Sequence, residues 1–77
     1  MRFAIGEPTY LRTVVEGSYF WSSERLYQKT AITKDKGTFC LCHPVGGGDH
    51  QHIIQDRVNT WLAVGAEVSL AVITPDL

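Results

Sequence analysis

Hydrophobic and polar positions along this chain change period twice, and the changes divide it into strands and one helix. Residues 1–5 form a short apolar run stopped by Gly6 and Pro8. Over residues 9–16, Leu11, Thr13 and Val15 alternate with Tyr10, Arg12 and Val14; this period of two, with Val and Thr well represented, predicts a second strand. Gly17-Ser18 breaks it. Tyr19, Phe20 and Trp21 follow, and three consecutive aromatic side chains cannot all share one face of extended backbone. Residues 22–25 turn the chain or cap a short helical turn. Strand-like alternation then resumes over 26–33. Lys34-Asp35-Lys36-Gly37 predicts a hairpin, with Gly37 in the left-handed position that closes the turn. The return strand, 38–43, stops at Pro44.

The period then switches. Gly46-Gly47-Gly48 leads to Asp49, whose carboxylate suits a helix N-cap. Ile54, Val58, Trp61, Leu62 and Gly65 fall at i, i+4, i+7, i+8 and i+11, which draws one buried stripe, with Gly65 placed to end the helix. The spacing predicts an amphipathic helix over residues 49–64. A last strand over 67–74 is stopped by Pro75. The expected fold is α+β: an antiparallel sheet of about four strands, the helix packed on one face, a strand after the helix, in one compact domain over residues 1–77.

Composition narrows the functional classes. At 77 residues the chain buries only about 60% of its extended surface, so its core is thin. Hydrophobic residues at 44% and charged residues at 19% fit a folded globule. A net charge of −1 argues against nucleic-acid binding by general electrostatics, and equally against an acidic mimic of DNA. Arg2, Glu7, Arg12 and Glu16 interrupt every apolar run near the start, so neither a signal peptide nor a membrane span is expected. Cys40 and Cys42, two apart on a strand, sit near the limit for a bridge. They read as free thiols of a reducing, cytoplasmic compartment.

The side chains of the sequence suggest four chemistries. Cys40, Cys42, His43, Asp49, His50 and His52 offer zinc-type donors, giving the alternative of a small metal-stabilised domain. The cysteine spacing fits no common finger, and His50 and His52 point about 200° apart on a helix. The plainer expectation is that the thiols serve as small core hydrophobes, with no metal and no cofactor. Gly46 to Gly48 lacks the Lys-Ser/Thr of a phosphate loop. Cys42 and His43 point to opposite faces of a strand, so His43 cannot readily activate that thiol, and a non-enzyme is expected. Arg25, Lys29, Lys34 and Lys36, with Tyr27 among them, make the hairpin locally basic. This gives a nucleic-acid-binding alternative, opposed by a solvated edge strand whose lysines block aggregation.

The aromatic triplet carries the strongest expectation. Aromatic and Arg side chains anchor protein interfaces, so Tyr19, Phe20, Trp21 and Arg25 are the candidate partner-binding residues. In size and layout the chain resembles the small phage-encoded inhibitors of bacterial defence, anti-CRISPR proteins among them. The resemblance implies a non-enzymatic protein-binding module that blocks a surface of a larger host complex, CRISPR-Cas or another, in the host cytoplasm. The Val-rich strand at 68–73 and unpaired sheet edges add the expectation of a homodimer.

Overall fold

A computed structural model of the chain describes residues 2–47 and 59–74. These form six strands in one antiparallel sheet: β1 (Arg2–Tyr10), β2 (Tyr19–Ser22), β3 (Arg25–Lys34), β4 (Phe39–Gly47), β5 (Thr60–Ala63) and β6 (Glu67–Thr74). Their spatial order is β1-β6-β2-β3-β4-β5. The one helical turn among the described residues is a 3-10 turn at Leu11–Thr13.

The expected α+β fold with a helix over 49–64 is therefore corrected to a nearly all-β one. Residues 49–58 lie outside the described residues, but the end of that span is strand β5, paired with β4 through Cys40↔Leu62 and Leu41↔Trp61. Leu62 packs against the core while Trp61 and Ala63 are exposed, a period of two. Only Trp61, Leu62 and Gly65 of the predicted stripe fall here, too few to separate a period of 3.6 from a period of two. β4 has a second edge whose main-chain groups need a partner, and β5 supplies it.

The return strand does not stop at Pro44 but continues as β4 to Gly47, paired with β3 through Tyr27↔Pro44 and Arg25↔Gly47. Two further expectations fail for identifiable reasons. Gly6 and Pro8 do not stop the first strand. One extra residue is absorbed between Ile5↔Ala71 and Pro8↔Ser69, a β-bulge in the terminal strand of the sheet order, where a missing proline N–H is tolerated. Residues 9–16 do not form a strand of their own. Thr9 and Tyr10 finish β1, then Leu11 and Val14 turn inward three apart and are both buried. Lys29 secures that turn, its ammonium donating to Leu11 O at 2.9 Å, which also accepts the Val14 N–H at 3.0 Å, and to Val14 O at 2.7 Å.

Val64 joins the far ends of the sheet order: its carbonyl accepts from Arg12 N (2.8 Å) and its N–H donates to Thr38 O (3.0 Å). The sheet is thereby rolled around Leu11, Val14, Phe20, Tyr27, Cys40, Cys42 and Val68, with Leu62 and Val64 packed against them. Phe20 and Tyr27, opposite each other on β2 and β3, stack at 5.6 Å.

Candidate functional site

The four predicted partner residues do not form one surface. Phe20 is fully buried in the core. Tyr19 and Trp21, its neighbours along β2, point to the opposite, outward face and are half-buried. Tyr19 packs its ring 5.0 Å from that of Phe3. The Trp21 indole N–H donates to Ala4 O at 3.2 Å, which fixes that ring across the sheet. Arg25 is exposed at the start of β3. The triplet is thus a sheet element, one ring inward and two outward.

Both thiols are closed into the core. Cys40 Sγ donates to Thr30 O at 3.2 Å, and Cys42 Sγ to Cys40 O at 3.6 Å. Thr30 shapes this pocket: its hydroxyl donates to Leu41 O (2.8 Å) and accepts from Ile32 N (3.2 Å), at the bulge where β3 carries extra residues between Lys29↔Cys42 and Thr33↔Cys40. Burial pushes the Cys42 thiol up to about 12, helped by the adjacent Cys40 and opposed by the Lys29 ammonium. Neither a nucleophile nor a metal thiolate is favoured in such a setting. His43 projects from the other face of β4, where its Nδ1 donates to the Asn59 side-chain carbonyl. Among the described residues no group of three His, Cys, Asp or Glu side chains is placed to hold a metal ion. Asp49, His50 and His52 lie outside the described residues.

The predicted basic face is also divided. Lys29 is engaged with carbonyls of the inner turn and Tyr27 is buried. Arg25 and Lys34 stand at the two ends of β3, on the order of 20–25 Å apart at the rise of a strand once the residues absorbed by the bulge are left out.

The outward face of β4 and β5 brings together residues that sequence reasoning had separated. Trp61 lies opposite Leu41, and Phe39 lies opposite both Ala63 on β5 and Lys34 on β3. Trp61 remains 37% exposed, beside half-buried Phe39 and Leu41. The Lys34 ammonium sits 4.6 Å from the Trp61 ring centre and 5.6 Å from that of Phe39, a cation–π pairing that carries positive charge into an apolar patch. The helical spacing of the sequence places Trp61 in a buried stripe, whereas the fold leaves it on an outward strand face. The available signal was the continuous apolar run Phe39 to Cys42 in β4, a pattern that calls for cover on both faces.

Comparison with known proteins finds no matching family model, no matching curated protein and no matching solved structure. Among the described residues no helix is long and apolar enough to cross a membrane.

Proposed function

We propose that the chain is a non-enzymatic protein-binding module that docks through the outward face of β4 and β5, with Trp61 as its anchor. The observation that carries this reading is a part-exposed tryptophan, flanked by Phe39 and Leu41 and topped by the Lys34 ammonium. Tryptophan is the residue most often found at the energetic centre of an interface, and a ring of near-neutral contacts around it excludes water. The partner suited to such a face presents an apolar pocket for the indole with a carboxylate within reach of Lys34. A non-enzymatic reading is supported by the placement of the reactive groups: both thiols are closed into the core and His43 is tied to Asn59.

The class of target proposed is a bacterial defence complex, blocked by occlusion as small phage inhibitors block theirs. The test is binding of the purified chain to a panel of purified defence complexes, CRISPR-Cas effectors included, measured by interferometry. The expected result is capture by one complex and a loss of about 2 kcal/mol, near 30-fold, for Trp61→Ala. Capture by none would remove the inhibitor reading, and capture unchanged by Trp61→Ala would remove this face as the docking surface.

A further inference from the structure

The sheet runs past its own core at one corner. β2 pairs with β6 only at Phe20↔Leu70 and Trp21↔Ser69, so β6 continues from Ala71 to Thr74 with β1 as its paired neighbour. The result is a two-stranded arm made of residues 2–5 and 71–74. A two-stranded ribbon is marginal in water on its own.

The arm is apolar on both faces. Register and alternation put Phe3, Ile5 and Ile73 on one face, and Ala4 and Val72 on the other in line with Leu70. Ile5 is 67% exposed, Ile73 55%, Val72 48% and Leu70 38%. No residue from 3 to 6 or from 70 to 73 carries a charge. β1 also ends the sheet order, so its outer edge has no strand beside it among the described residues.

We propose that this arm is the contact of a symmetric dimer, covered by the same arm of a second copy. Charge selects the occupant. A partner with charged groups against residues 3–6 and 70–73 would leave them desolvated and unpaired, whereas a second copy brings no charge over those same residues, Arg2 standing at the tip. Geometry agrees, because an antiparallel edge set against the same edge of another copy is related to it by a two-fold axis, and the pairing closes on itself. Area sets the strength. The exposed aliphatic surface of one arm is on the order of 400 Å², the size of the largest patch an ordinary monomer shows. Two such arms together, on the order of 800 Å², fall short of the roughly 1,200 Å² at which stable specific interfaces begin, which makes the dimer a weak, reversible one, about 1–100 μM. The arm is separate from the Trp61 face, so this inference stands apart from the proposed function.

Sedimentation of the full chain over a concentration series tests it. The average mass should rise from one chain to two across the micromolar range. Ile5→Thr and Ile73→Thr keep strand preference while removing apolar surface, and each should move the midpoint at least about tenfold higher. Both should retain the circular-dichroism spectrum and the dilute-solution melting temperature of the parent. Trp61→Ala should leave the midpoint where it is. A parent chain that stays monomeric to about 500 μM, roughly five times the top of that range, would overturn the inference. So would a dimer unchanged by both threonine variants, or growth into larger assemblies.

Discussion

Alkaline pH should weaken this fold through one thiol. Cys42 is pushed up from its ordinary 9.0 to about 12, first because burial denies the thiolate its hydration, then because Cys40 disfavours a negative charge beside it, with Lys29 acting the other way. The unfolded chain releases this proton near pH 9, while the folded chain holds it to about 12. Between those values unfolding is coupled to proton release, so stability falls as pH rises; below 9 both states keep the proton and the contribution is flat. Each unit is worth about 1.4 kcal/mol, so pH 10.5 should cost roughly 2 kcal/mol, a large share of the 5–15 kcal/mol usual for a domain. Urea denaturation followed by tryptophan fluorescence at pH 8, 9, 10 and 10.5 measures it, with Cys42→Ala as the reference. That variant starts from a lower baseline, by about 1–2 kcal/mol for a small cavity, but should lack this part of the pH slope. Equal slopes in the two proteins would refute the argument.

Two backbone predictions follow from local geometry. Ser23 and Glu24 both adopt positive φ, 50° and 64°, inside a two-residue loop between the paired Ser22 and Arg25. Glu24→Gly relieves the left-handed crowding of a side-chain-bearing residue and should raise stability by about 1 kcal/mol; a lower melting temperature would contradict it. At Gly6 an added Cβ would lie 2.9 Å from both Leu70 O and Val72 Cγ2. Gly6→Ala therefore forces β1 away from β6 and should cost about 1–3 kcal/mol in urea denaturation. A cost below about 0.5 kcal/mol would place it among ordinary surface substitutions and show that the bulge yields freely.

The parts of the fold legible in the sequence were those fixed by local chemistry. β6 spans Glu67–Thr74 as its Val, Leu and Ile content and Pro75 predicted, and Gly37 closes the β3–β4 connection at φ +86°, as its place in the turn required. The losses came where tertiary pairing decides. Gly6 and Pro8 are stop signals in isolation, yet pairing with β6 carries β1 through both of them. Trp61 and Leu62 satisfy either period until β4 is placed beside them. Of the candidate site, the sequence shows that Tyr19, Phe20 and Trp21 cannot share one face, but that Phe20 is the ring turned into the core is set by tertiary packing. That Trp21 is fixed by Ala4, and that Trp61 is the open ring, depends on contacts 17 and 20 residues apart (to Ala4 and to Leu41) that no local window contains.

One sequence signal links the two proposed surfaces. A strand with a single wet face alternates apolar and polar residues, whereas one covered on both faces reads as a continuous apolar run. β4 reads Phe-Cys-Leu-Cys-His-Pro-Val and the arm end of β6 reads Leu-Ala-Val-Ile. In each, one set of residues belongs to the core side: Cys40 and Cys42 in β4, and the line from Val68 through Leu70 in β6. The other set, Phe39 and Leu41 beside Trp61, and Ile73 beside Ile5, has no second layer among the described residues. A domain this small builds one core, and on the two proposals made above these strands take their second cover from another molecule. Substituting the outward set should therefore leave folding nearly intact while changing association, whereas substituting the inward set should do the reverse. That division is what the Trp61, Ile5 and Ile73 variants measure against Cys42→Ala.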